Sequence, residues 1–519
     1  MSRFALWACA AISVLAAVLT LHKLDAADIC FGNEAHDGMT VQLMVERGQL
    51  LSPLPGGMEP IAKPPLFHWT STAIHRLFGI DKVTPWSLRL AAAFYGVAGV
   101  VLTMAFAWWA LGPRRAVLAG LTLVASYYYI EKARLGRVDM ALTFFESLGV
   151  FCFAWWLDRA PDSSGPAAGA SSRRSKILYL AAFALGLAVL SKGPIGAILP
   201  SLTILVYLAG RRRWSELREL LSPGPIALGL TIAASWYVAS YLTGYVQNPR
   251  YQLSVENFGR FVGALGTMPP WFYLDRAAIQ SPVVSAIAII AVLLVLIPRL
   301  PLARQLRDAS SARARMSVEL LATFWAVTFI FFSIAAYKSR VYLLPLAPSA
   351  AILVAWLVDG VAEIRWGTRL RLAYALICFA LIVGIYFYLP YSTAGACDGR
   401  YPAIAARKIN EVVPRDKPLY LFGFYQWAYE LQFHLDRDAP YIRRGFASQP
   451  GIYVLLPAER WENLARRLPP YDVVLIYTDT DPKVVVVRTR AHPPPPGSAT
   501  PGSATDGAGG AQRMRLSGR

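Results

Sequence analysis

Over most of its length the chain alternates between long apolar stretches and short polar connections. A helix needs about 20 mostly apolar residues to cross a bilayer, so each such stretch predicts a transmembrane helix. Eleven stretches qualify, some of them short: 4–22, 84–110, 115–130, 140–157, 177–191, 196–210, 222–243, 280–298, 316–335, 341–358 and 371–391. The pattern predicts a mainly α-helical membrane protein with a transmembrane domain over residues 1–391.

After residue 391 the pattern changes to short β-branched and aromatic runs separated by helix-like segments, which predicts a small α/β domain over residues 392–490. The runs are 419–424, 452–456, 473–477 and 484–487, and the helix-like segments are 427–435 and 459–468. Residues 491–519 repeat Pro, Gly, Ser, Ala and Thr. Since this composition cannot build a core, we expect a disordered tail.

A long polar segment, 23–83, separates the first two apolar stretches. Asn33 suits a helix N-cap, and Met39, Leu43 and Met44 follow at helical spacing. We therefore expect a structured loop that contains an interfacial helix and lies on the membrane.

Composition supports the membrane assignment, with 55% hydrophobic and 16% charged residues. The formal net charge of +19 does not indicate nucleic-acid binding, because the positive charges sit mainly in alternate connections between spans. By the positive-inside rule those connections are cytoplasmic: residues 3, 114–115, 173–176, 211–213, 299–315 and 365–371. The N-terminus is then cytoplasmic behind an uncleaved first span, and segment 23–83 and the C-terminal domain are external.

Two of the five cysteines, Cys30 and Cys397, fall on the predicted external side. An oxidising compartment would allow them to form a disulfide or leave them as free thiols, and both alternatives stay open.

Several cations break the charge rule, because they lie on the external side: Lys63, Lys132, Arg134, Arg137, Arg260, Lys338 and Arg340. Each one alone is explained by snorkelling, or by pairing with Glu131, Asp139 or Glu256. Together they predict a site for a phosphate at the membrane surface. Lys192, followed by Gly193 and Pro194, is better explained as a tight turn between two short spans than as a ligand-binding residue.

Carboxylates are scarce outside the C-terminal domain, so Glu34, Asp37 and Asp139 stand out on the external side. Sugar transfer from a phosphate needs a base for the acceptor hydroxyl and cations for the departing phosphate. Glu34 and Asp139 are candidates for the base. The alternative for both is a first-turn carboxylate favoured by the helix dipole, and Asp139 also has Arg137 as a possible partner.

Six motifs in order resemble one family: NEAHDGMTVQLMVERGQLLSPLPGGMEPIAKPPLFHW, PWSLRLAAAF, ARLGRVDMALTFF, LSKGPIGA, ENFGRF with PPWFY, and YKSRVYLLPLAPSAAILVA. Over residues 30 to 360 the chain is similar to bacterial membrane glycosyltransferases of the protein O-mannosyltransferase and aminoarabinose-transferase type. The resemblance implies a GT-C fold with an active site at the external membrane face and a polyprenyl-phosphate-linked sugar as donor.

The resemblance also assigns roles to residues. Lys63 of the Lys-Pro-Pro signature would contact the donor phosphate, and the matching substrate-site positions are Arg134, Arg137, Asp139, Lys338 and Tyr342, with Arg260 added as an external cation. The family's first loop opens with Asp-Glu, where this chain has Asn33 and Glu34. Either Glu34 takes the catalytic role, or Asn33 positions the acceptor, or activity is altered or lost.

The aminoarabinose branch has a glutamate before the signature lysine, where this chain has Ala62, and a histidine ahead of the aromatic cluster at 271–273. This chain has no histidine between His75 and His434. We therefore predict no metal site of that kind and no cofactor, although a divalent metal stays open as an alternative.

The function expected from the sequence is transfer of a single sugar, with inversion, from a polyprenyl phosphate to a lipid, glycan or protein acceptor at the external face of a bacterial inner membrane. The alternatives are a transporter or flippase for a lipid-linked saccharide and a non-catalytic relative with a binding role. Transporters tend to have two similar halves, whereas this sequence shows no internal repeat.

Overall fold

The computed structural model describes most of the chain. The described residues are 2–30, 32–51, 63–159, 168–245, 247–264, 266–274, 281–395, 401–424, 428–435, 437–442, 450–479 and 482–490. The predicted disordered tail, 491–519, lies outside them. The predicted fold class, a mainly α membrane protein with a small C-terminal sheet, is confirmed.

The helices of the bundle follow the apolar stretches, with shorter helices between them. They are α1 Ser2–Leu21, α2 Gly32–Arg47, α3 Leu66–Phe78, α4 Pro85–Leu111, α5 Pro113–Val124, α6 Tyr127–Ala133, α7 Asp139–Asp158, α8 Ala168–Lys192, α9 Ile195–Gly210, α10 Trp214–Leu220, α11 Pro223–Leu242, α12 Gln247–Tyr251, α13 Pro282–Leu296, α14 Pro301–Asp308, α15 Ala312–Ile334, α16 Leu346–Val361 and α17 Gly367–Gly395. A π-helical turn, Gln252–Gly259, continues α12, and a second one, Ala362–Trp366, joins α16 to α17.

The predicted count of eleven spans is not confirmed. Among the described residues, seven helical segments are long and apolar enough to cross a membrane, or eight if the bent pair α13 and α14 forms one span. The difference has local causes. The stretch 115–130 is broken at Ala125 into α5 and α6, which have 12 and 7 residues, and α9 has only 16 residues.

Residues Leu346–Leu389 count as one apolar segment, yet their contacts show that the chain reverses direction within it. A straight helix of that length would be about 66 Å long, about twice the hydrocarbon thickness. Arg371 Nε lies 2.6 Å from Asp359 Oδ1 across the π-helical turn, and Tyr386 stacks on His22, just beyond the end of α1. The segment therefore packs as two antiparallel helices, as the sequence pattern predicts.

The polar segment after α1 is structured by α2 and α3. Helix α2 begins at Gly32, so Asn33 lies in its first turn and not at the predicted N-cap position. The apolar side chains of Leu43 and Met44 are buried, because α2 packs between α3 and the C-terminal domain. The apolar stripe that predicted an interfacial helix is therefore buried by contacts within the protein.

The C-terminal domain consists of a four-stranded sheet with flanking helices. Its elements are α18 Pro402–Val412, β1 Leu419–Leu421, α19 Ala428–His434, β2 Tyr453–Pro457, α20 Trp461–Ala465, β3 Tyr471–Tyr477 and β4 Val484–Thr489. The strand order is β1-β2-β4-β3, with β1 and β2 parallel and the other pairs antiparallel. The strands overlap the four predicted runs, because β-branched residues favour strands at these positions.

Helix α19 attaches this domain to α2. The rings of His36 and Tyr429 meet edge to face with centroids 4.8 Å apart, and Arg47 pairs with Asp438 at 2.6 Å. Cys30 is disulfide-bonded, whereas its proposed partner Cys397 lies outside the described residues. The C-terminal domain is thus fixed to α2, whose first turn contains Asn33 and Glu34.

The bundle has two ends with different charge arrangements. At one end the basic residues of the predicted cytoplasmic connections pair with carboxylates: Arg115 with Asp359 at 2.9 Å and Arg313 with Asp158 at 3.0 Å. The other end contains Lys63, Asp139 and Tyr342, and we call it the site end.

The turn between α8 and α9 leaves no space for a side chain at Gly196. A Cβ atom there would lie 2.5 Å from the carbonyl oxygen of Ala188, which is part of the backbone and does not yield easily. We expect Gly196→Ala to lower the melting temperature in detergent by several degrees, since overpacking costs about 1–3 kcal/mol. Gly210→Ala, on the same helix with open space around its Cβ position, is the matched control and should not destabilise the protein. Equal stability of the two variants would contradict this packing.

Candidate active site

The site end contains a chain of charged contacts that starts at Lys63. Its ammonium pairs with the carboxylate of Glu256, which also accepts a hydrogen bond from Arg260 at 2.9 Å. Arg260 donates a second hydrogen bond, of 3.2 Å, to the hydroxyl of Tyr342. Glu256 therefore links two cations that lie 197 positions apart in the sequence.

A second set of charges continues this chain. The ammonium of Lys192 pairs with Asp139, whose other oxygen lies 3.5 Å from Arg137 Nε. Lys192 also lies over the ring of Tyr342, 5.2 Å from its centroid, so the two sets are continuous. We call these seven residues the charged cluster: Lys63, Glu256, Arg260, Tyr342, Lys192, Asp139 and Arg137.

Burial and charge pairing act differently on three groups of the cluster. Burial lowers the pKa of Lys63 to about 8, even though the Glu256 carboxylate opposes the shift. Burial favours the neutral form of Glu256, but Lys63 and Arg260 outweigh it and lower the pKa of Glu256. Burial also opposes the charge of Arg137, but Asp139 together with Asp37 and Glu34 raises its pKa. Among these three groups, Lys63 is the one whose pKa lies near neutral pH.

The cluster has unused hydrogen-bonding capacity. Within the part of the chain that the structure describes, Arg137 Nε, Arg260 Nε and Asp139 Oδ2 are buried and make no hydrogen bond. Buried polar groups are normally satisfied, and exceptions at a cleft indicate a polar ligand that completes them. The donors on Arg137 and Arg260 suit an anionic ligand.

Glu34 is placed differently from the cluster carboxylates. It is fully buried and accepts two hydrogen bonds from Arg89, of 2.7 and 3.0 Å, and one of 2.8 Å from the backbone N–H of Gly136. Arg89 is itself 2% exposed and also donates to the carbonyls of Leu24 and Ala27. This carboxylate is therefore occupied as a structural anchor beside the cluster.

Three other predicted site residues do not contact the cluster. Arg134 donates to the carbonyl oxygens of Leu19, Thr20, His22 and Lys23 and so closes the end of α1. Lys338 donates to the carbonyl oxygens of Met268 and Ala335. Asn33 is exposed. Of the nine predicted residues, the structure joins Lys63, Arg137, Asp139, Arg260 and Tyr342 directly.

Sequence reasoning left three participants out of the site: Lys192, Glu256 and Arg89. Lys192 lies at the predicted turn, since α8 ends at Lys192 and α9 begins at Ile195. Its side chain also pairs with Asp139, so the residue belongs to the site as well. Lys192 and Arg89 could have been found from the sequence, because an ionisable residue within or beside an apolar stretch is costly unless it has a partner. Glu256 carries no such signal, and only its contacts in the folded protein identify it.

An apolar groove lies beside the cluster. It has a volume of about 590 Å³ and lies between α8, α9 and α11. Its lining includes Pro194, two positions after Lys192, and Leu253, three positions before Glu256. The turn after α8 and the π-helical turn after α12 therefore contribute residues to both the groove and the cluster.

No group of three or more His, Cys, Asp or Glu side chains suited to a metal ion occurs in the part of the chain that the structure describes. The carboxylates of the cluster instead pair with ammonium and guanidinium groups.

Comparisons with known proteins find similarity to glycosyltransferases. The family model for "Dolichyl-phosphate-mannose-protein mannosyltransferase" matches residues 10–250. The undecaprenyl phosphate-alpha-4-amino-4-deoxy-L-arabinose arabinosyl transferase of Pseudomonas paraeruginosa is 26% identical over 416 residues, which cover 75% of this chain and 66% of that protein.

Solved structures show the same fold. The crystal structure of ArnT from Cupriavidus metallidurans bound to undecaprenyl phosphate matches with a TM-score of 0.73 at 19% identity, and covers 93% of this chain and 99% of that one. The oligosaccharyltransferase of Archaeoglobus fulgidus matches with a TM-score of 0.60 at 13% identity over 87% of this chain and 70% of that one.

The buried ion pair of Glu34 and Arg89 leads to a prediction about the stability of the protein. Glu34→Gln removes the charge that balances Arg89, and breaking a buried pair costs about 3–5 kcal/mol, so we expect a marked fall in melting temperature. Glu46→Gln, an exposed position on the same helix, is the matched control and should change stability by less than about 0.5 kcal/mol. If Glu34→Gln melts like the wild type, the pair does not anchor α2.

Proposed function

We propose that this chain, a membrane glycosyltransferase of the GT-C type related to protein O-mannosyltransferases and aminoarabinose transferases, moves a single sugar from a polyprenyl-phosphate donor to an acceptor at the external face of a bacterial inner membrane. The observation that carries the proposal is the charged cluster beside an apolar groove. A polyprenyl-phosphate sugar has the same two parts, a long apolar chain and a phosphate.

Each part of the donor finds a counterpart. The groove beside α8, α9 and α11 suits the polyprenyl chain, because its lining is almost entirely apolar. Lys63, Arg260 and Arg137 suit the phosphate, since charge-assisted hydrogen bonds to phosphate are the strong ones. The Cupriavidus protein, whose crystal structure contains bound undecaprenyl phosphate, supports the same class of donor.

The proposed reaction forms a bond between the acceptor hydroxyl oxygen and the anomeric carbon, while the bond from that carbon to the phosphate oxygen breaks. The electron pair goes to the phosphate, where the cations stabilise the charge that develops. The acceptor proton goes to a carboxylate, and attack from the opposite side inverts the anomeric carbon.

The proposed orientation places the site end in the periplasm. The basic connections at the opposite end support this, because lysine and arginine are enriched in cytoplasmic loops. The N-terminus is then cytoplasmic and the C-terminal domain periplasmic, where the disulfide at Cys30 suits an oxidising compartment.

Donor binding should depend on the charge of Lys63. We expect Lys63→Ala to weaken the binding of undecaprenyl phosphate to the purified protein about 10- to 100-fold, because charged hydrogen bonds contribute about 1.5–3 kcal/mol. Lys82→Ala, an exposed lysine of the same segment, is the matched control and should bind like the wild type. Equal affinities of the three proteins would contradict the proposed phosphate site.

Binding should also depend on pH with a definite sign. A lysine is charged below its pKa, so with a pKa of about 8 Lys63 loses its charge as the pH rises from 7 to 9. The charged fraction of such a group falls about tenfold over this range, and we expect the affinity for undecaprenyl phosphate to fall with it. Lys63→Arg should remove this decline, because arginine stays protonated. A wild-type affinity that rises or stays constant from pH 7 to 9 would contradict the proposed role of the Lys63 charge.

A further inference from the structure

The candidate bases of the sequence analysis are already occupied in the structure. Glu34 is held by Arg89 and the backbone of Gly136, and Asp139 is paired with Lys192 and Arg137. A carboxylate that stabilises fixed cations is a weak proton acceptor, because protonation breaks its ion pairs. The proposed reaction therefore needs another group to accept the proton.

Asp37 lies on the same helix and is less committed. Its Oδ1 is 2.8 Å from Nε2 of His68 on α3, and its Oδ2 makes no hydrogen bond within the described residues. The Asp37 side chain is 9% exposed, compared with 4% for Asp139 and 0% for Glu34. Among these three carboxylates, Asp37 is the one with an accessible and unused oxygen.

His68 orients the carboxylate of Asp37. The His68 ring is fully buried, and its Nδ1 has no hydrogen-bond partner among the described residues. With a proton on Nε2, the ring donates to Asp37 Oδ1. This hydrogen bond holds Oδ1 in place and leaves Oδ2 for the proton of the acceptor.

The pair also lies where the chemistry is proposed. Asp37 helps to raise the pKa of Arg137, after the larger effects of burial and Asp139. Burial lowers the pKa of the neighbouring His36. The charges of Asp37 and Glu256 oppose this shift, and those of His68 and Lys63 add to it. The charges near the pair are thus Lys63, Glu256 and Arg137 of the cluster and Glu34 of its own helix.

We infer that Asp37 is the general base of the sugar transfer, and that His68 positions it. This inference rests on the proposed function. As the acceptor oxygen bonds to the anomeric carbon, its proton moves to Oδ2 of Asp37, and the electron pair of the breaking C–O bond moves to the polyprenyl phosphate. The products are the glycosylated acceptor, Asp37 in its protonated form and a free polyprenyl phosphate.

The experiment measures release of undecaprenyl phosphate from undecaprenyl-phosphate sugars, the mannose and the 4-amino-4-deoxy-L-arabinose forms, in membranes that contain the full chain. Thin-layer separation of the two lipids follows the donor, so the acceptor that the membranes supply need not be identified. We expect Asp37→Asn to lower the rate constant at least about 100-fold, as for loss of a general base. Its affinity for undecaprenyl phosphate and its melting temperature should stay within about twofold and two degrees of the wild type.

The variants separate a base from a structural residue. Glu46→Gln makes the same change at an exposed position of α2 and should keep the wild-type rate. His68→Gln retains a donor towards Asp37 and should keep more activity than His68→Phe, which has none. A pure packing role would reverse this order, because phenylalanine fills the ring space better.

The outcomes also separate this inference from the proposed function. If membranes with the wild-type chain release no more undecaprenyl phosphate than membranes without it, the proposed function fails. If the wild type is active and Asp37→Asn keeps its rate, the inference alone is overturned. It is also overturned if Asp37→Asn loses donor affinity or stability in proportion to its rate.

Discussion

The arrangement of the site depends on one buried ion pair, that of Arg89 on α4 with Glu34 on α2. Arg89 uses its guanidinium on the two Glu34 oxygens and on the carbonyl oxygens of Leu24, Ala27 and Asp28. One side chain thus fixes the connection that leaves α1, the first turn of α2 and the middle of the bundle. In a low-dielectric interior neither partner can be released alone, so α2 has one position relative to α4, and with it Asp37 and the docking surface for the C-terminal domain.

Arg134 also uses a single guanidinium to fix backbone, in this case at the end of α1. It satisfies carbonyl oxygens that a helix end leaves free, those of Leu19, Thr20 and His22 among them. Both arginines belong to motifs of the family resemblance, and both serve the backbone in this structure. A cation near an active site therefore has two possible tasks, and its partners tell which one it performs. Lys63 and Arg260 meet a partly accessible carboxylate that a ligand can replace. Arg89 meets a fully buried carboxylate and backbone carbonyls, and Arg134 meets backbone carbonyls, and no ligand replaces these partners.

The sequence predicted the fold class, the C-terminal strands and five members of the charged cluster, because these follow from local patterns and from cations on the unexpected side of the membrane. The predicted count of eleven spans is not confirmed, since hydropathy does not reveal the break at Ala125 or the shortness of α9. The bases were harder to identify. Glu34 and Asp37 are both acidic residues near the start of α2, and their difference arises from Arg89 and His68, which lie 55 and 31 positions away. Such pairings depend on tertiary contacts that no spacing along the chain encodes.

The charges of the cluster fit the change that the proposed reaction imposes on the phosphate. The four cations Lys63, Arg260, Lys192 and Arg137 exceed the two carboxylates Glu256 and Asp139, which leaves two positive charges in excess while Lys63 is protonated. The donor is a phosphate diester with one negative charge, and the departing polyprenyl phosphate, a monoester, approaches two. An excess of two therefore stabilises the leaving group more than the bound donor, and only such a difference accelerates a reaction. The two carboxylates are needed for the same reason: without them the cations would repel one another in the free protein, and with all four unopposed the product would be held too tightly to leave.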